Sequence, residues 1–235
     1  MKSFYSLLIA FLLVPAFGAS AQEVDILWQG ETYTPPFYEG RTLWSNQSRI
    51  TLVAIPQGLG NPASLNYKWI KNGTVLGNIN GVGRNYLSFV DTVLSRPQTI
   101  EVEIIGGDRG VLAKGSVYVV PRLPALAVYE NSPLYGLMFH KEISEYDMQN
   151  PEVVLAAFPL FFSATDRFDP AVEYEWLSNS GSKNRESSVT YRVPEGGSGS
   201  SQVTLKAKSL QNIMQSATKS LLLKFNSENI NNFGL

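Results

Sequence analysis

The chain carries one pattern twice. Tyr67-Lys68-Trp69 returns as Tyr174-Glu175-Trp176, and the runs around the two triplets correspond in the same order. Pro56 matches Pro159, Phe89 matches Tyr191 and Ile100 matches Val203, while the Pro-aromatic stretch Pro36-Phe37-Tyr38 matches Pro133-Leu134-Tyr135. The offsets lie between 97 and 107 residues and change where turn-forming residues cluster, as expected of two diverged copies whose strands are fixed and whose loops vary. A duplicated unit of about a hundred residues must close its own core twice. That requirement excludes most single-domain architectures of this length.

Each copy reads as strands. Ser48 to Ile55 and Leu65 to Ile70 alternate with period two, which places Ile50, Leu52 and Ala54 on one face and Leu65, Tyr67 and Trp69 on another. Asn72-Gly73 supplies the positive φ that a tight hairpin needs. Val24 to Trp28, Tyr86 to Phe89, Thr99 to Ile105 and Lys114 to Val120 bring the first copy to about seven strands, a density that predicts a β-sandwich. The second copy follows with Leu126 to Tyr129, Glu152 to Phe158, Val172 to Leu177, Ser188 to Val193, Gln202 to Ala207 and Lys219 to Phe225. Helix competes at Asn150 to Phe162, where Pro151-Glu152 resembles a helix start and Ala156-Ala157 favours one. The β-branched counterpart Ile50 to Ile55 decides for strand.

The expected class is all-β: two tandem immunoglobulin-like β-sandwich domains after a signal peptide. Lys2, an apolar run from Phe4 to Phe17 and Ala19-Ser20-Ala21 make up an export signal over residues 1–21, with cleavage expected after Ala21. Domain 1 is expected over 22–121 and domain 2 over 125–225, joined through Pro121-Arg122-Leu123-Pro124, a stiff link that predicts a semi-rigid line of two units. Gly196 to Ser201 reads as a flexible hairpin loop and residues 226–235 as a flexible polar tail.

Composition removes several function classes. The chain is 44% hydrophobic and 17% charged, enough apolar mass for a packed core. It has no cysteine, so disulfides, thiolate metal sites and a cysteine nucleophile are absent. With 19 Lys and Arg against 20 Asp and Glu and no basic stripe, nucleic-acid binding by counterion release has nothing to work with. No mature segment reaches membrane-spanning length. The triplets Asn46-Gln47-Ser48 and Asn72-Gly73-Thr74 are sequons of a kind that arises by chance.

The residues that could carry chemistry are few. His140 is the one histidine, and no nucleophile-elbow pattern accompanies it. Glu173 and Glu175 share the polar face of a strand whose other face carries Tyr174 and Trp176. Asp166 and Asp169 precede that strand at a spacing that fits no calcium loop, and Pro170 makes the segment a turn. No cofactor is expected. The most interesting group is aromatic: Tyr33, Phe37, Tyr38 and Trp44, between the first two strands and beside Pro35 and Pro36. Such rings can grip a partner protein or stack on sugars, or they can cover an end of a sandwich or pack against the other domain.

Tyr67-Lys68-Trp69-Ile70-Lys71-Asn72-Gly73-Thr74, with Gly77, Gly83 and Leu87-Ser88-Phe89, resembles the strand C to strand E region of bacterial immunoglobulin-like domains; Tyr174 to Asn179 resembles the same element more weakly. The polycystic-kidney-disease type of sandwich has a similar Tyr-x-Trp strand, but its Gly-Asp-Gly after the Trp is missing. The whole mature chain is similar to exported tandem Ig-like proteins of small-genome candidate-phylum bacteria. The Ig-like resemblance implies buried Trp69 and Trp176, and the wider one implies export and this fold; with no catalytic cluster in the sequence, the expectation is a non-enzymatic protein at the cell envelope or on a surface appendage. Its partner would be another envelope or appendage protein, with a carbohydrate-binding or adhesion module as the alternative.

Overall fold

The computed structural model describes residues 22–92 and 95–226. The expected export signal and the tail from residue 227 onward lie outside them.

Eight strands occupy the first half: β1 (Glu23–Gly30), β2 (Arg49–Gln57), β3 (Asn66–Lys71), β4 (Thr74–Val75), β5 (Gly81–Val82), β6 (Tyr86–Val90), β7 (Gln98–Ile105) and β8 (Val111–Val119). Nine occupy the second: β9 (Ala125–Ser132), β10 (Gly136–Leu137), β11 (Glu145–Met148), β12 (Glu152–Leu160), β13 (Val172–Ser178), β14 (Lys183–Asn184), β15 (Ser188–Arg192), β16 (Ser198–Ser209) and β17 (Ser216–Asn226). Among the described residues the strands form four sheets, in the orders β1-β2-β6, β4-β3-β7-β8 with β5 on β3, β10-β9-β12-β15, and β11-β17-β16-β13-β14. No sheet mixes strands of the two halves. The described residues are built of β-sheets, and in each half two sheets face each other across an apolar core.

Alternation builds both cores. In β2 the inward residues Ile50, Leu52 and Ala54 are buried against Tyr67, Trp69, Ile100, Val102 and Ile104 of the facing sheet. In the second half Val153, Leu155 and Ala157 meet Tyr174, Trp176, Val203 and Leu205 in the same way. The duplication extends to single hydrogen bonds. Trp69 Nε1 donates to the carbonyl of Arg84 at 2.8 Å and Trp176 Nε1 to that of Glu186 at 2.9 Å. Tyr67 Oη donates to the Pro62 carbonyl at 3.0 Å and Tyr174 Oη to the Arg167 carbonyl at 2.9 Å. A buried indole or phenol needs a partner for its one polar atom, so both copies keep the acceptor while the residue supplying it varies.

Asn72 (φ 50°) and Gly73 (φ 78°) both adopt positive φ and close β3 onto β4 with Lys71 opposite Thr74, as the hairpin reading required. The Asn150 to Phe162 region is strand β12. Several elements depart from the sequence reading, among them Asn226, expected to open the flexible tail, which ends β17. Ser198 to Ser201, expected within a flexible hairpin loop, begins β16 and pairs with residues 223–226 of β17, because ladder hydrogen bonds come from backbone and need no apolar side chains. Strand β11, read from no pattern, lies parallel to β17 with Glu145 opposite Leu222. It covers an edge that would otherwise present unpaired backbone.

Candidate binding groove at the junction of the two halves

Strand β12 is apolar on both faces. Its inward residues fill the second core, and outward Ala156 and Phe158 are 0% and 1% exposed. They form a separate small cluster with Ala127 of β9 and with Tyr33, contributed by the first half. A sheet buried on both faces reads as a continuous apolar run, which explains why Val153 to Phe158 lacks the clean alternation of β2.

The cover is the chain between β1 and β2. Tyr33 pairs with the end of β12 through two backbone bonds, its N–H to Phe162 O at 2.7 Å and its carbonyl accepting from Phe161 N at 2.9 Å. Phe161 sits at φ 63°, a conformation uncommon for a bulky residue and held here by that pairing. Beside it Gln215 is fully buried and uses both ends of its amide. Nε2 donates to Asn46 O at 2.6 Å and Ser163 Oγ at 2.9 Å, and Oε1 accepts from Ser163 N at 2.8 Å. Gln47 Oε1 accepts from Met214 N at 2.9 Å. Arg122 of the connecting segment donates its N–H to Trp44 O at 2.7 Å and bridges to Ser45. The junction is therefore hydrogen-bonded as a protein interior is.

Past Tyr33 the cover stops short, and a groove of about 560 Å³ opens. Its apolar side is a ring cluster: Phe139 lies 5.3 Å from Phe158, 5.2 Å from Tyr129 and 5.0 Å from Phe37 between centroids, mostly edge to face. Its polar side is the loop 164–168, where the Arg167 guanidinium sits 5.1 Å over Phe158 and 4.6 Å over Phe168. Arg167 is buried, and burial pulls its acidity up, lowering its pKa; burial raises that of the Tyr33 phenol.

The aromatic candidates therefore separate. Tyr33 is buried at the junction, Phe37 stands 71% exposed at the groove rim and half-buried Tyr38 rests its ring 6.1 Å from Phe161. Trp44 belongs to the first core at 0% exposure, with Nε1 donating to Ser48 O at 3.1 Å and its ring edge-on to Phe89. Leu134 and Tyr135, the counterparts of Phe37 and Tyr38, are exposed at the β9–β10 turn. The sequence reading missed Phe139, Phe158, Arg167 and Phe168 as groove residues. The lost alternation at Ala156-Ala157-Phe158 was the available signal.

The other candidates apart from Asp166 lie away from this groove, Glu173 and Glu175 in a shallow surface pocket with Lys206 and Lys208. Glu173 pairs with Lys208 at 3.0 Å on the polar face of β13. Asp169 accepts from Thr165 N and Ala171 N, both at 2.8 Å, which holds its carboxyl below the usual range and closes a turn. His140 is exposed. Among the described residues no group of three or more His, Asp or Glu could hold a metal ion, and no helix is long and apolar enough to cross a membrane.

No family model matches the chain, and no curated protein does. Among solved structures it is similar to the fibronectin(III)-like modules of Clostridium thermocellum CbhA, at 11% identity and a TM-score of 0.31 over 86% of this chain and 94% of that one. It is also similar to murine CEACAM1b, at 11% identity and 0.29 over 86% and 100%, and to the chicken CNTN1 FN1-FN3 domains, at 10% and 0.28 over 88% and 65%. These neighbours are bacterial and vertebrate alike, and likeness at this level transfers no residue role.

Proposed function

We propose that the chain is an exported, non-enzymatic binding protein of two domains, residues 22–121 and 125–225, that contacts another protein at the bacterial cell envelope or on a surface appendage. The observation that carries this reading is the junction groove, with its buried apolar floor, the 70% exposed ring of Phe168 in its lining and the 71% exposed ring of Phe37 packed against its lining residue Phe139. Exposed rings around a desolvated floor are the anatomy of an interface centre. Tyr33 lines the groove, Tyr38 packs beside it on Phe161, and Trp44 anchors the covering segment in the first core.

Carbohydrate recognition is the second reading, favoured by the exposed face of Phe168 beside polar Thr165 and Asp166. A photo-crosslinking residue at Phe37, compared with one at distant Tyr118, tests both in the native envelope. The protein reading expects one identified neighbour trapped from position 37 alone, which then binds the purified chain at least about tenfold more weakly after Phe37→Ala and Phe168→Ala. Equal trapping from both positions, or binding to cell-wall glycan alone, overturns it.

A further inference from the structure

Arg167 is only 8% exposed, and among the described residues no carboxylate lies within ion-pair distance of its guanidinium. Its five N–H groups are unevenly used. Nη2 donates to Ser187 O and Ser187 Oγ, each at 3.3 Å, and to Ser188 Oγ. Nε is sealed from solvent with no acceptor, and Nη1 makes no hydrogen bond but is not sealed off. Asp166, on the same groove, turns Oδ1 to the N–H of Phe168 at 2.6 Å and leaves the cation unneutralised. A buried charge is ordinarily paired, and one left unpaired beside an open apolar groove has its counter-charge missing.

We infer that the groove takes a protein segment carrying a carboxylate next to an apolar side chain, with Arg167 Nη1 holding the carboxylate while the apolar side chain packs on Phe139 and Phe158. The inference rests on the protein-contact reading above and names the chemistry of the partner. Charge complementarity fixes the choice. A single guanidinium matches one carboxylate, and the groove supplies no second cation for a phosphate dianion. Phe168, stacked on the guanidinium, shields the pair from water and strengthens it.

The test titrates the full chain with three probes, read by amide chemical shifts: the blocked peptide acetyl-Ala-Phe-Glu-Ala-amide, its Gln counterpart, and glucuronate. The Glu peptide is expected to bind at least about tenfold tighter than the Gln peptide, as a hydrogen bond to a charged group allows, and to shift the amides of Ala164, Thr165 and Phe168. Arg167→Gln should abolish the preference. Because Arg167 also ties Ser187 and Ser188, that variant can lose its fold, and the comparison of two peptides on the unaltered protein decides without it. Phe168→Ala truncates an exposed ring and should weaken both peptides. Equal affinity for the two peptides in the groove overturns carboxylate selection and leaves the protein-contact reading standing. Glucuronate binding with neither peptide bound overturns both, and so does no binding by any probe.

Discussion

Gln215 is the residue on which the junction can be tested most directly. Replacing it with Leu keeps a similar volume in a fully buried site and deletes three hydrogen bonds, two from Nε2 and one to Oε1. Ser163 Oγ can turn elsewhere. The Asn46 carbonyl and the Ser163 N–H, both backbone groups with fixed directions, are left without that partner. Each orphaned group costs ~1–3 kcal/mol when water cannot replace the lost bond. Asn46 and Ser163 are only half-buried, which favours the lower part of that range, so Gln215→Leu should cost about 3 kcal/mol. With a urea slope of ~2–3 kcal/mol per molar, the unfolding midpoint falls by about 1 M. Tryptophan fluorescence follows both cores, since Trp44 and Trp69 lie in the first and Trp176 in the second. The loss should lower the transition of the second half most and loosen its coupling to the first, because the two bonds to Ser163 lie within the second half and the bond to Asn46 joins the halves. A midpoint within about 0.2 M of the unaltered protein, with one unchanged transition, would show that the amide adds nothing net and that the halves are held by their other contacts.

The repeated indole bonds predict that Trp69→Phe and Trp176→Phe each cost ~2–4 kcal/mol in chemical denaturation, from an orphaned carbonyl plus a cavity; a difference between them larger than about 2 kcal/mol would deny their equivalence. A methyl group at Gly115 of β8 would stand 2.3 Å from the Val24 carbonyl of β1, so Gly115→Ala must push β1 away and should cost ~1–3 kcal/mol in the same assay. Asp169 contributes stability that is present above its unfolded value of 3.8 and is lost as pH falls through its lower folded value. Asp169→Asn should therefore lower the thermal midpoint at pH 7, with the gap to the unaltered protein closing below about pH 4.

The strands and both cores were legible because period-two alternation and the Tyr-x-Trp pair report on local geometry. Ile50, Leu52 and Ala54, and Tyr67 and Trp69, lie inside as their spacing required. Strand β11 was illegible for the opposite reason: Glu145-Tyr146-Asp147-Met148 is short and charged, and its parallel partner is more than seventy residues away. The start of β16 was hidden by Gly and Ser, which mark loops by composition and yet can pair by backbone alone.

The aromatic segment shows the same division within one stretch. Sequence singled out Tyr33, Phe37, Tyr38 and Trp44 together, and nothing in their order tells which ring enters a core and which stands in water. That depends on where the covering segment lands on β12, some 120 residues further on. By itself the sequence determined most of the strands, the repeated Tyr-x-Trp pattern and the burial of Trp69 and Trp176, since each follows from neighbours a few residues apart. Only the tertiary structure decided that β12 is covered on its outer face, that the cover ends short of a groove, and that Arg167 lies beneath it without a counter-charge. Those facts arise from surfaces brought together across the two halves, where sequence spacing carries no information.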